Sequence, residues 1–342
     1  MVGIEEVAAL AGVSTATVSR ALRGKDHVSA KAQAKVEDAA RELGYVASSS
    51  AATLATGRTQ NIGVVLPYID RWFFSVILEA IETELIDHGY DLTLYNLSGG
   101  EKQRKKIFDE LLLRKRVDGV LAIAVNPTEA ELANLNRMHK PIVGIGGPVK
   151  GARSITMDDV AAGKLATEHL LSLGHTRIGM IGGLPNADEE FGQPGLRYYG
   201  YAEAMKKAGL KINENWVAEC DFTIPGAYVV AKQLFTDLRN APSAVFCASD
   251  EMAFGAIMAA KDLGLEVPKD LSVVGIDDHS LSEFYGLSTI AQKPAEQGRA
   301  AVKTLLDILA LPNAEDHDNI EEKKEWPVKL VVRASTAKFA KR

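Results

Sequence analysis

The sequence is poor in cysteine. Cys220 and Cys247 are the only two in 342 residues, which excludes a disulfide framework and a four-cysteine metal site; no metal or cofactor is expected. Long apolar runs are missing too. No uninterrupted stretch reaches the ~18–20 residues that a membrane-crossing helix needs. The opening MVGIEEVAALAG carries two glutamates and no basic residue, so a secretory signal is not expected and a cytoplasmic location is. Positive charge is not in excess: 39 Lys and Arg stand against 45 Asp and Glu, a net −6. Bulk charge therefore does not advertise a nucleic-acid binder. The usual enzyme signatures are lacking as well. Gly144-Ile145-Gly146-Gly147 and Ile181-Gly182-Gly183 do not have the GxGxxG spacing of a dinucleotide site, and no Walker A, GxSxG or HExxH run occurs. The seven histidines are scattered; His169 and His175 flank a helix end and read as structural. No catalytic residue and no enzymatic function are expected.

What is present is 46% hydrophobic and 25% charged residues, ordinary for a folded protein, with length for two to three domains at about 150 residues each. Residues 1–46 read as three short helices. Ile4, Val7, Ala8 and Ala11 recur at helical spacing and Gly12 ends the first helix. Ser14 suits the N-cap of a second helix, from about Thr15 to Leu22, that buries Val18 and Leu22 and turns Thr15, Ala16, Ser19 and Arg20 outward. Ser29 caps a third, with Val36, Ala39, Ala40 and Leu43 inward and Gly44 at its end. Two short helices joined by a glycine-containing turn and braced by a third describe a helix-turn-helix, whose second helix enters the DNA major groove. The pattern alone equally suits a small helical domain. Residues 1–60 hold seven basic and six acidic side chains, so charge does not decide between them.

The wording of the segment does. VAALAGVSTATVSRAL, followed at the expected distance by HVSAKAQAKVEDAARELGY, resembles the DNA-binding domain of the LacI/GalR family of transcription repressors. The resemblance implies that Thr15, Ala16 and Arg20 occupy base-reading positions, with Ser14, Ser19 and His27 at phosphate contacts. Arg23 departs from the family's usual Asn. Residues 47–59, small and Ser-rich, read as a linker. The resemblance makes them a hinge that turns helical on operator DNA, where Ala51 permits close approach and Leu54 takes the intercalating position in the minor groove. Val46-Ala47-Ser48 replaces the common Arg-Pro-Asn before it.

From Ile62 onward β-branched runs alternate with amphipathic stretches. Strands are expected at 62–67, 91–96, 118–124, 141–145, 177–182, 216–220, 244–248 and 272–276, with helices at 74–88, 101–115, 128–138, 194–208, 225–238 and 250–263. Such alternation builds parallel sheets, which bind ligands at the carboxyl ends of their strands. About ten strands suit two sheets better than one. The fold class expected for the whole chain is thus an all-α helix-turn-helix domain plus a two-lobed α/β core with two parallel sheets. KRVDGVLAIA, TEHLLSLGHTRIGMIGG and SDEMAFGAIMAAKDLGLEVPKDLSVVGIDD also match phrases of the LacI-family effector core, itself shaped like a type I periplasmic binding protein. That resemblance implies a core at 60–337, with an N-lobe at about 60–159 and 290–325 and a C-lobe at about 160–289 and 326–337.

Trp72, Phe73 and Phe74 read as loop residues that either pack between helix and sheet or form a stacking wall for a ring. The resemblance puts Phe73, Phe74 and Phe222 at wall positions, Arg197 and Ser249 in the cleft, and Asp277 at the ligand aspartate. Gly146 stands where some sugar-responsive members carry a carboxylate. Cys220 and Cys247 read as core residues, and the acidic 313–325 as a solvated loop. The tail has no leucine heptads, so a tetramerising coiled coil is not expected. Altogether a homodimeric repressor is expected, released from a pseudo-palindromic operator by a small molecule, a sugar before a nucleoside. Regulation through a co-repressor or a phosphoprotein partner is the alternative. A sugar-binding transport receptor is the competitor from another class.

Overall fold

The computed structural model describes residues 2–22, 28–45, 57–114, 116–185, 193–237, 239–311 and 322–340. It divides into two units, Met1–Gln60 and Asn61–Arg342. In the first, α1 (Ile4–Ala11), α2 (Thr15–Ala21) and α3 (Ala30–Leu43) pack in all three pairings. Gly12 closes α1 in the left-handed conformation that its missing Cβ permits. Ser14 and Ser29 start the next two helices by accepting from the Thr17 and Ala32 N–H groups, which would otherwise lack partners. The core is built of Val7, Ala8, Ala11, Val18, Ala21, Val36, Ala39 and Ala40. Alanine at five of these eight positions lets helix axes approach closely.

The second unit holds two six-stranded sheets. The first has the order β11-β5-β4-β3-β1-β2, with β1 Asn61–Leu66, β2 Asp91–Asn96, β3 Gly119–Ile123, β4 Ile142–Ile145, β5 Arg153–Thr156 and β11 Lys323–Glu325. The second has the order β12-β10-β9-β8-β6-β7, with β6 Ile178–Gly182, β7 Val217–Glu219, β8 Ala244–Cys247, β9 Ser272–Asp277, β10 Ser288–Ala291 and β12 Lys329–Val331. Alternation along a strand sends side chains to opposite faces. In β1, Ile62, Val64 and Leu66 enter the core under α4 (Trp72–Asp87) and α11 (Pro294–Ala310), while Val65 enters the opposite core against Phe108 and Leu112. In the first sheet α5 (Gly100–Lys106) precedes a π-helical turn at Ile107–Leu111, and α6 is Glu129–Arg137. Around the second sheet lie α7 (Asp159–Ser172), α8 (Gln193–Lys207), α9 (Ile224–Phe235) and α10 (Asp250–Asp262).

The chain passes between the lobes at 157–158, 292–293 and 326–328. All pairings are parallel except β10–β12, which modifies the expectation of two wholly parallel sheets. β5, β10, β11 and β12, each three or four residues long, escape the sequence reading. Lys323–Glu325 corrects it outright: this charged run is not loop but an exposed edge strand parallel to β5. Charged side chains suit such an edge because they discourage further pairing. The three aromatics 72–74 also differ from expectation. They open α4 and do not sit in a loop.

His169 and His175 fasten the C-terminal segment. His175 bonds Ser243 Oγ and the Ala337 carbonyl, both at 3.0 Å, and His169 meets Thr336 Oγ1 at 2.9 Å. Burial pushes both imidazoles below the ordinary histidine range. Cys220 and Cys247 are buried thiols, raised by desolvation, as core residues should be. No helix among the described residues is long and apolar enough to cross a membrane.

Candidate DNA and effector sites

On α2 the burial of Val18 and Ala21 fixes the opposite face. That face exposes Thr15, Ala16 and Arg20, with Ser19 half-buried. Ser14 is occupied as the cap, its hydroxyl 3.2 Å from the Thr17 N–H and 2.9 Å from Thr17 Oγ1. Arg20 Nε donates to the Ala16 carbonyl one turn back at 3.2 Å. This bond holds the side chain along the helix and leaves its terminal nitrogens to reach outward. His27, Ala51 and Leu54 lie outside the described residues.

In the core, Arg197 is set by close helix packing. A Cβ on Gly163 of α7 would lie 2.3 Å from the Arg197 carbonyl, and one on Gly200 of α8 would lie 2.1 Å from that of Val160. Only glycine allows this approach, which brings Arg197 Nε to 2.8 Å from Asp159 Oδ1. Its Nη1 donates to the Ala248 carbonyl at the end of β8. Burial raises the Asp159 carboxyl and the guanidinium pulls it back. Asp159 is a partner that sequence reasoning missed. Its neighbour Asp158 is the helix cap, and adjacent aspartates give no sign of which one faces inward.

Asp277 ends β9 with a φ of 135°, a region that L-residues seldom occupy and that costs ~1–3 kcal/mol. It is buried, and Gln292 Nε2 donates to its Oδ1. Burial and the nearby Asp250 carboxyl push Asp277 up to about 8, against the pull of Arg197. Asp250 is itself buried. It accepts from Ser282 Oγ at 2.6 Å, Thr289 Oγ1 at 2.7 Å and the His279 N–H at 2.9 Å, and desolvation raises it to about 6. It braces the loop after β9, while Ser249 supplies the cap of α10 through the Met252 N–H.

The aromatics divide into two groups. Phe73 and Phe74 meet edge to face with centroids 5.3 Å apart. The Phe73 ring lies over Gly146, where a Cβ would come within 3.3 Å. Trp72 instead reaches the other lobe and stacks on His279 at 4.6 Å and 30°. Its backbone N–H also faces the Glu251 carboxyl of α10 and favours the ionised form there, against the burial that raises it. Trp72 and Asp277 line one pocket of about 260 Å3 together with Val76, Asp278, Lys293 and Arg299. Phe222 follows β7 with a φ of 62° and packs against the C-lobe core. Asp221, beside it, feels Arg71 of the N-lobe, and so does Glu251. The arrangement places aromatic faces, one buried guanidinium and one protonatable carboxyl where two lobes meet. Groups of these kinds can stack on and hydrogen-bond polar ring-shaped molecules; no nucleophile–base pair is formed among them.

Comparison with known proteins agrees with this layout. Residues 3–48 match the family described as bacterial regulatory proteins, lacI family, and 167–336 match a periplasmic binding protein-like domain. The HTH-type transcriptional repressor CytR of Escherichia coli (strain K12) is 36% identical over 308 residues, covering 89% of each chain. Among solved structures, the Lac repressor dimer bound to operator and the anti-inducer ONPF superimposes with a TM-score of 0.82, at 27% identity over 98% of this chain and 99% of that one. The transcriptional regulator CelR in complex with cellobiose gives 0.70, at 27% identity over 98% and 100%. A helix-turn-helix head followed by a two-lobed core is thus shared along nearly the full length, and the chain belongs to the lacI family of bacterial regulatory proteins.

Proposed function

We propose that this chain is a cytoplasmic, non-enzymatic transcriptional repressor that binds a pseudo-palindromic operator as a homodimer and is released by a small sugar. The observation that carries the reading is the outward face of α2. Thr15, Ala16 and Arg20 are exposed while the remainder of the helix is anchored in the head's core. A short helix presented in this way fits the major groove, and arginine near it can donate two hydrogen bonds to a guanine edge. The sugar is supported by the Phe73–Phe74 pair, Arg197 and Asp277, and by the cellobiose bound to the similar CelR regulator.

Dimerisation is supported by an apolar patch on the C-lobe. Phe284 is 84% exposed, and Leu281, Tyr285 and Met258 are also exposed. Tyr285 lies on Phe254, one turn of α10 from Met258, so these groups are continuous. A patch of this kind marks an interaction surface. We assign it to a second copy of the chain, in line with the dimer of the similar Lac repressor. Effector and operator then oppose each other through one coupling free energy, typically ~1–3 kcal/mol, that acts equally in both directions.

The test is fluorescence anisotropy with promoter fragments from the source genome, at low and physiological salt, with a panel of sugars and nucleosides. Specific binding that a sugar weakens supports the reading. Release by a nucleoside alone would replace the sugar, and ligand binding without any DNA binding would make the chain a receptor. Arg20→Ala is expected to weaken specific binding by about 10- to 100-fold while leaving non-specific binding nearly unchanged.

A further inference from the structure

The carboxyl of Asp277 is the end of a buried chain of side-chain amides. Gln292 follows β10 in the crossover between the lobes, and its Nε2 donates to Asp277 Oδ1. Behind it stands Gln297 on α11, a helix that packs on α4 and on β3, β4 and β5 of the N-lobe. Gln297 Nε2 donates to the Gln292 carbonyl at 2.7 Å and approaches Gln292 Oε1 at 3.4 Å. Gln292 is 2% exposed and Gln297 is not exposed at all. The direction of the chain is fixed by its members. A reversed Gln297 amide would set its oxygen against two oxygens of Gln292. A reversed Gln292 would turn its NH2 toward that of Gln297 and its oxygen toward the Asp277 carboxyl.

Gln297 Oε1 finds no partner among the described residues. A buried acceptor left unpaired is a cost that leucine of similar volume would avoid. α11 otherwise turns Ala301, Val302, Leu305, Ile308 and Leu309 into the core. A glutamine on the same buried side is therefore anomalous as packing but intelligible as a donor aimed at Gln292.

We propose that Gln297 is a positioning residue for the effector carboxyl: it orients the Gln292 amide so that its N–H donors face Asp277. This role rests on reading Asp277 as the effector carboxyl. It has two consequences. Oδ1 is held as an acceptor, so the proton that Asp277 binds sits on Oδ2. The N-lobe also reaches the effector group through a defined chain of hydrogen bonds across the crossover. Other groups facing Asp277 are Asp250 and Glu251 on α10 and Arg197 on α8, with Lys293 and Arg299 along the pocket. The Gln297 side chain donates only to Gln292 among the described residues, and to none of these groups.

Loss of the Gln292 donor removes an interaction that favours the ionised carboxyl, so Asp277 should hold its proton to higher pH. The sign for stability follows from linkage. Folding raises this carboxyl from the ordinary ~3.9 to about 8, so the native chain keeps a proton that the unfolded chain has lost. Stability due to this group falls as pH rises through that window. The experiment measures urea unfolding of the full chain from pH 6 to 10. The proteins are the wild type, Gln297→Leu and Gln297→Met, each also with Asp277→Asn. The difference between each protein and its Asp277→Asn partner isolates the titration of Asp277. In both Gln297 variants the pH at which that difference stops falling, set by the native carboxyl, is expected to rise by about one unit. An unmoved end of the fall in both overturns the proposal and leaves Gln297 a packing residue. A shift of equal size within the Asp277→Asn background overturns it as well, since another group then titrates. No DNA and no ligand enter the measurement. A chain that ignored every operator would refute the repressor reading and leave this shift in place.

Discussion

Arg197→Ala is expected to lower the unfolding free energy by about 3–5 kcal/mol, because removing one member of a buried ion pair strands the other. The guanidinium and the Asp159 carboxylate are 13% and 5% exposed, so water cannot replace the lost partner. The Ala248 carbonyl loses a donor in the same step. Asp159 can escape part of the cost by taking up a proton. Without Arg197 its carboxyl rises further above the unfolded value, and so does that of Asp277, which Arg197 also draws downward. The variant's native state therefore binds more protons than the wild type does. Its deficit should be smaller at pH 5.5 than at pH 8, the sign that linkage requires for raised carboxyls. Urea unfolding at the two pH values measures this. A pH-independent deficit would mean that cavity formation, not the stranded charge, dominates.

The second large effect is expected at the apolar patch. Burial of a phenylalanine is worth roughly 1.5–3 kcal/mol, and two-fold symmetry counts each position twice in a dimer. Phe284→Asp removes that contribution and adds two carboxylates to the interface. The dimer dissociation constant should rise by at least about 100-fold, read by sedimentation at micromolar concentration. Phe284 is 84% exposed within the single chain, so the thermal midpoint of the separated subunit should hardly change. Operator affinity should fall with the dimer, because one head grips one half-site alone. A variant that remains dimeric would move the contact to another surface.

The sequence made parts of this molecule legible and left others closed. The helices of the head could be read because their signals are local: Ser14 and Ser29 as caps, and Val18 or Val36 with neighbours at helical spacing. The longer β-branched runs such as Asn61–Leu66 were visible for the same reason. Lys323–Glu325 was not, since an edge strand carries no apolar alternation and depends on β5, far away in the chain. The aromatics 72–74 stand out in the sequence, but their division into a Phe73–Phe74 pair and a Trp72 that crosses the lobes is a tertiary fact. So are the partners of the site carboxyls. Asp159 lies 38 positions from Arg197 and Gln292 lies 15 from Asp277. Nothing near a glutamine in sequence reveals that it will be buried beside an aspartate.

The stack of Trp72 on His279 sets a condition on how the core takes up its small molecule. His279 Nδ1 accepts from the Leu281 N–H at 2.9 Å, and burial holds the imidazole below its ordinary range, so a neutral, fixed ring meets the indole. With the Trp72 backbone N–H beside the Glu251 carboxyl, these contacts tie the two lobes together next to the pocket that Trp72 and Asp277 line. If the effector binds in this pocket, its entry waits for these contacts to part. At rising guest concentration the observed uptake rate should therefore level off at a ceiling, set by how often the jaws breathe and not by diffusion. Apparent affinity is reduced by the fraction of time they stand shut. A smaller residue at position 72 would lift both limits together.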